Sequence, residues 1–167
     1  MNKQLLTEMQ NAVKSTVSDN KIGVAFSGGV DSTLLAKILK DMGYDVNLLT
    51  VGFHESHDIN FALEINQILG YQHNILEIDP ITFKEISSEI HSTIKTDNLS
   101  WNENSIAFYY VSKLAQDHGL TTVVTANGID ELFCGYNSYR EAISIGENEV
   151  IEMMNFKLEN EKQMMVA

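Results

Sequence analysis

The 167-residue chain is poor in the residues that would cross-link it or bind it to a polyanion. It has one cysteine, Cys134, which excludes an internal disulfide, a CxxC redox pair and a four-cysteine zinc site. Its one proline, Pro80, leaves no proline-rich linker. A single arginine, Arg140, stands among ten scattered lysines against 23 acidic residues, for a net charge of −12. Binding nucleic acid requires cations that neutralise phosphates, so neither RNA nor DNA is an expected partner. No apolar run reaches the roughly 18 residues of a membrane span. Residues Met1 to Gln10 lack a basic stretch followed by an apolar one. No membrane segment and no signal peptide are therefore expected, and the cytoplasm is the expected compartment.

The hydrophobic pattern alternates between short apolar runs and helical spacing. Ile22–Phe26, Val46–Val51, His73–Ile78 and Thr121–Thr125 read as strands. Between them, Leu34, Leu35, Ile38, Leu39 and Met42 recur at helical spacing, with Gly43 as a stop. A further helix carries Phe61, Ala62, Ile65, Ile68 and Leu69, with Asp58 as its cap and Gly70 as its stop. Ile81–Ile94 and Ser105–Asp117 are expected helices, Lys95–Asn104 a polar loop. Gly128 and Gly135 bracket a short helical turn, and Glu147–Met165 forms a helical tail. The expectation is one α/β domain over 1–167, a parallel sheet between helical layers (α/β/α), with its core near 20–140 and a helical tail over 146–167. Ligands of such sheets sit beyond the carboxyl ends of the strands.

Directly after the first apolar run stands Ser27-Gly28-Gly29-Val30-Asp31-Ser32, which leads into a helix. Two glycines let the backbone turn tightly and approach a ligand. Amides at the helix start and the hydroxyls of Ser27 and Ser32 suit an anion. Asp31 is the odd member beside phosphates, and it makes sense as a holder of Mg²⁺ that bridges to them. The loop has no lysine and no GK[ST] ending, so it is not a Walker A loop. A glycine turn with a capping serine or aspartate is the simpler alternative.

Ser-Gly-Gly-Val-Asp-Ser resembles the PP-loop of the N-type ATP pyrophosphatases. A second stretch, Thr125-Ala126-Asn127-Gly128-Ile129-Asp130-Glu131-Leu132-Phe133-Cys134-Gly135-Tyr136, resembles the corresponding segment of the asparagine synthetase synthase domain. The resemblance spans roughly residues 20–140. It implies a PP-loop domain that cleaves ATP between its α and β phosphates. Ser27, Gly28, Gly29, Asp31 and Ser32 would hold the pyrophosphate portion of ATP, Ala25, Val51, Thr125 and Ala126 would lie near adenosine, and Val30 and Gly128 would also belong to the ATP site. Asp31 and Asp130 would hold Mg²⁺, and Asp31, Asp130, Glu131 and Asn127 would form the catalytic set. The implied reaction is adenylation of a small carboxylate, aspartate favoured, followed by amidation with ammonia or another amine.

The match departs from the family pattern in places. Asn127 stands where the family has a catalytic glutamate, and a neutral amide is no general base. Ala126 and Cys134 replace glycines. Asp130 and Glu131 also suit a capping pair in a first helical turn. The chain begins Met1-Asn2 rather than with a cysteine nucleophile, so no glutaminase domain is expected. Ammonia would then be free or come from a separate glutaminase subunit, and a homodimer is plausible. The family's downstream lysine would fall past Ala167. An NAD synthetase-like or β-lactam synthetase-like ligase and a non-catalytic ATP-binding subunit are the competing readings. His54 and His57, three residues apart, suit either a metal pair or a polar loop.

Overall fold

A computed structural model describes the backbone of residues 3–166 and the side chains as far as Met164. The chain groups into two compact units, 1–125 and 126–167. The first holds a sheet of four parallel strands: β1 (Lys21–Ala25), β2 (Asp45–Gly52), β3 (Gln72–Glu77) and β4 (Val123–Val124). Their order is β3-β2-β1-β4. The helices of this unit are α1 (Lys3–Thr16), α2 (Val30–Asp41), α3 (His57–Leu69), α4 (Pro80–Ile94) and α5 (Leu99–Asp117). The second unit holds α6 (Ile129–Phe133), α7 (Ser138–Ile145) and α8 (Glu147–Val166). The α/β parallel sheet is thus as the periodicity implies.

The central strands β1 and β2 carry the apolar core because both faces of a parallel sheet are covered there, whereas β3 is more polar and only partly buried. Ile22, Val24, Val46, Leu48 and Leu49 are all fully buried. Leu49 packs with Val111, Leu114, Ala115 and Leu120. Three helices begin on local polar caps. Ser56 Oγ accepts from Ile59 N, Asp79 from Thr82 N and Asn98 from Trp101 N. Each satisfies an amide that the first helical turn leaves open.

Four details differ from the sequence reading. Ser56, not Asp58, caps α3. The stretch expected as a loop over 95–104 is helical from Leu99 onward, because its polar side chains serve the backbone and one another. Asn102 Nδ2 donates to Thr96 O (2.9 Å), and Asn102 Oδ1 meets His91 Nδ1 (3.2 Å). The fourth strand shrinks to Val123–Val124, although Thr122 O still accepts from Gly23 N at 2.9 Å, and the hydroxyls of Thr121 and Thr122 both donate to the Asp19 carboxylate. Helix α7 was not foreseen; Tyr139 and Ala142 are its buried face. Met165, the last residue of the expected helical tail, lies outside the described side chains. Among the described residues no helix is long and apolar enough to cross a membrane.

Candidate functional site

In the first unit the carboxyl edge of the sheet gathers Ala25, Val51 and Thr125, because β1 lies between β2 and β4 in register. The loop Ser27–Gly29 leaves this edge and α2 starts at Val30. Gly28 adopts φ +77°, and a Cβ there would lie 3.0 Å from the Ala62 Cα and 3.1 Å from Phe61 Cδ1 on α3. The residue is glycine for two reasons, the left-handed backbone and the close helix behind it. Gly29 caps α2 in an extended conformation without a side-chain bond. The helix start therefore has no side-chain acceptor of its own, as an anion site requires.

The two serines tie the loop into a ring. Ser27 N and Oγ lie 3.4 and 3.3 Å from Ser32 Oγ, and Ser27 Oγ accepts from Gly29 N at 3.3 Å. Ser32 Oγ is also 3.2 Å from Gly29 O, and Thr33 Oγ1 donates to Gly28 O at 3.3 Å. Ser32 is buried, whereas Val30 is 78% exposed and packs no core. Asp31 sits in the first turn of α2. Hydroxyls and amides suit phosphate oxygens, and one hard carboxylate oxygen suits Mg²⁺. That ion commonly takes one or two carboxylates and completes its shell with phosphates and water. Among the described residues no group of three or more His, Cys, Asp or Glu side chains stands ready to hold a metal alone.

Beneath this loop lies a polar pair that sequence reasoning did not single out. Thr50 Oγ1 donates to Phe26 O at 2.6 Å and meets His73 Nε2 at 2.8 Å. The available signal was a threonine among the apolar residues Leu48, Leu49 and Val51 of β2.

In the second unit, Gly128 (φ +90°) precedes α6, which carries Asp130 and Glu131 in its first turn. Glu131 is 3% exposed. It accepts from the Tyr136 hydroxyl, and its backbone carbonyl accepts from Tyr139 Oη at 2.8 Å. A buried partnered carboxylate is more than a helix cap. The arrangement pushes the Tyr136 phenol up, through burial first and the Glu131 bond second. Lys157 lies over the Tyr136 ring, 4.4 Å from its centroid. Glu161 from α8 is raised by burial and then by Glu131, while a hydrogen bond with Asn127 works the other way. Asn127 is thus joined to a carboxylate from α8. A Cβ on Gly135 would overlap the Asp130 carboxylate where it now lies, so a side chain there would turn Asp130 aside. Cys134 is half-buried in a left-handed conformation (φ 59°) and ends α6.

His54 and His57 do not form a metal pair. His54 Nδ1 bonds Glu77 at 2.8 Å, whereas His57 stacks on Phe61. Of the aromatics, Tyr110 is buried and Tyr109 is 41% exposed.

The sequence model of the asparagine synthase family matches residues 4–166. This chain belongs to the asparagine synthase family. The glutamine-hydrolysing asparagine synthetase 1 of Bacillus subtilis (strain 168) is 29% identical over 150 residues, covering 85% of this chain and 23% of that protein. A putative glutamine-hydrolysing asparagine synthetase 1 of Methanocaldococcus jannaschii is 32% identical over 147 residues, covering 85% and 26%. The family member in hand therefore spans about a quarter of the length of these relatives. Its fold is shared with an NH3-dependent NAD synthetase of Campylobacter jejuni, with a TM-score of 0.53 and 23% identity over 82% of this chain and 62% of that one.

Proposed function

We propose that this asparagine synthase family chain binds Mg·ATP and works in one ATP-pyrophosphatase domain of an amide ligase. The observation that carries this reading is the Ser27–Ser32 loop at the carboxyl edge of β1, closed by its serines and left uncapped at the start of α2. In this reading the loop amides and the Ser27 and Ser32 hydroxyls bind the leaving pyrophosphate. Ala25, Val51, Thr125 and Ala126 are the residues proposed for adenosine, and Gly128 is proposed as a further ATP-binding residue. A substrate carboxylate, aspartate favoured, attacks the α-phosphorus in line, and the bond to pyrophosphate breaks. The acyl-adenylate then yields an amide and AMP when ammonia or an amine attacks its carbonyl. Mg²⁺, when bound, neutralises phosphate charge as the pyrophosphate departs. Asp31 and Asp130 are the residues proposed to hold it, with Glu131 and Asn127 completing the catalytic set. Ammonia is free or delivered by a separate glutaminase subunit in the cytoplasm, and the chain works as a homodimer.

Asn127 favours a second reading. Its side chain is engaged with Glu161, and a neutral amide cannot take a proton from an incoming ammonium. A non-catalytic ATP-binding subunit would tolerate this. An NAD synthetase-like or β-lactam synthetase-like ligase would differ in the carboxylate and amine used.

Aspartate-dependent exchange of labelled pyrophosphate into ATP, with Asp31→Ala as control, tests the first reading. Exchange that needs aspartate and Mg²⁺ and is lost in the variant supports adenylation. ATP binding without exchange, for aspartate and for a panel of other carboxylates, favours the non-catalytic subunit. Absence of ATP binding overturns both.

A further inference from the structure

The hydrogen bonds beneath the phosphate loop have only one consistent set of proton positions. Phe26 O is a carbonyl and can only accept, so the single Thr50 hydroxyl proton points to it across 2.6 Å. With that proton committed, Thr50 Oγ1 faces His73 Nε2 at 2.8 Å as an acceptor. His73 therefore carries its proton on Nε2. Its other ring nitrogen, Nδ1, is buried and has no partner. A bare nitrogen fits that position. The opposite tautomer would bury an unpaired N–H there and leave Thr50 between two acceptors. Burial also lowers the imidazole pKa, which keeps the ring neutral. The ring further packs edge-on against Phe26, 5.6 Å between centroids.

The Phe26 carbonyl belongs to the first peptide plane of the loop. In a trans peptide the C=O and the following N–H point in opposite directions. Thr50 fixes the carbonyl of this plane, and Ser32 Oγ receives its N–H, that of Ser27 (3.4 Å). The plane is thus held on both sides, and Ser27 departs from it in a set direction. Without the His73 donor, the Thr50 hydroxyl could rotate away from Phe26 and one of these two holds would be lost.

We propose that His73 is a positioning residue for the phosphate loop: by donating from Nε2 to Thr50, it commits the Thr50 hydroxyl to the Phe26 carbonyl and sets the plane on which Ser27 begins. The inference rests on the reading that this loop binds ATP. It assigns an affinity role to a side chain on β3, two strands away from β1 in chain order and outside the loop itself.

The test uses the full chain. Mg·ATP affinity is measured by titration calorimetry for wild type, His73→Leu, His73→Gln, Thr50→Val and the His73→Leu/Thr50→Val pair. Long-range ¹H–¹⁵N spectra report the His73 tautomer without reference to ATP. His73→Leu is expected to raise Kd about tenfold, the effect of one lost hydrogen bond. His73→Gln, whose amide Nε2 can donate as the imidazole does, is expected to restore most of the affinity. The double variant is expected to cost no more than the larger single one, because both act through one bond. Thr50→Val, close to isosteric, keeps the question answerable if His73→Leu does not fold. The wild-type spectrum is expected to show Nε2–H. Affinity unchanged in His73→Leu or Thr50→Val, equal losses in His73→Leu and His73→Gln, or an Nδ1–H tautomer would each overturn the positioning role. Wild type that binds no ATP would instead overturn the nucleotide reading beneath it.

Discussion

The Tyr136 hydroxyl is the hydrogen-bond donor to Glu131, a carboxylate that is 97% out of solvent on the first turn of α6. Tyr136 follows Glu131 by five residues, and the turn through Cys134 and Gly135 brings the chain back to it. Tyr136→Phe would leave a buried carboxylate oxygen short of a donor. The expected loss is about 1–3 kcal/mol in urea unfolding at pH 7. Burial, and then the same bond, raise the phenol pKa above its usual 10. The unfolded chain releases that proton as pH passes 10 while the folded chain keeps it, so stability falls as pH rises from there. Tyr110 and Tyr139 are also raised. Tyr136→Phe should therefore make the alkaline decline shallower without abolishing it. An unchanged slope would contradict the assignment.

Glu161 gives an opposite-looking result from the same rule. Its Oε2 is buried without a partner, and Glu131 lies near. The folded chain holds the Glu161 proton to higher pH than the unfolded chain does. Its stabilising contribution is present at acid pH and is lost as pH rises from 4.5 through the folded value. Glu161→Gln should stabilise the chain at pH 7 by about 0.5–1 kcal/mol, a figure reduced for partial exposure. The gain should shrink at pH 4. Denaturant midpoints at the two pH values check both statements.

The glycines of the loop separate by geometry. Gly28→Ala demands φ +77° from an alanine and sets a methyl group against the α3 backbone. We expect a cost of about 1–2 kcal/mol for the left-handed backbone alone and weaker ATP binding. Gly29→Ala keeps φ −63°, and its methyl group meets only Ser27 Oγ at 3.2 Å. It should be close to neutral in thermal unfolding while still perturbing ATP affinity. Equal melting temperatures for the two variants would refute this contrast.

Two histidines pull the acid limb in opposite directions. His73, lowered by burial, is protonated more readily in the unfolded chain, so stability falls as pH drops below 6.5. His54, raised by the Glu77 hydrogen bond, contributes stability that is full below 6.5 and fades as pH rises through its folded value. His73→Gln should flatten the loss between pH 7 and 5, and His54→Gln should deepen it. Thermal melts across that range distinguish the two.

The alternation of strand and helix and the strand–loop–helix at Ser27 were legible in the sequence, because buried parallel strands and amphipathic helices leave different periods. The failures have specific causes. The start of α5 is hidden because its polarity resembles that of a loop, although Asn98 and Asn102 are polar in order to hold backbone groups. The fourth strand is shorter than its β-branched run, because propensity marks Thr121 and Thr122 as strand-like whereas the ladder with β1 pairs only Val123 and Val124. The Thr50–His73 pair and the Tyr136–Glu131–Glu161–Asn127 cluster are not legible as contacts, although Thr50, Glu131 and Asn127 stand out singly. Their members are 23 residues apart in one case and up to 34 in the other, and spacing carries no signal once the chain has turned between them.

The pairing of Gly23 with Val123 joins positions a hundred residues apart through a ladder only two residues long. Closing a loop of that length is costly in chain entropy, and two rungs return little of it. The β1–β2–β3 ladders, built from nearer neighbours, can assemble first. Beside that short ladder, Leu114 and Leu120 pack with Leu49, and the Asp19 carboxylate accepts from Thr121 and Thr122. Val123 and Val124 should be among the first strand amides to exchange with deuterated solvent. The edge of the sheet that ends at Thr125 is in that sense the seam of the domain, sealed late and opened early.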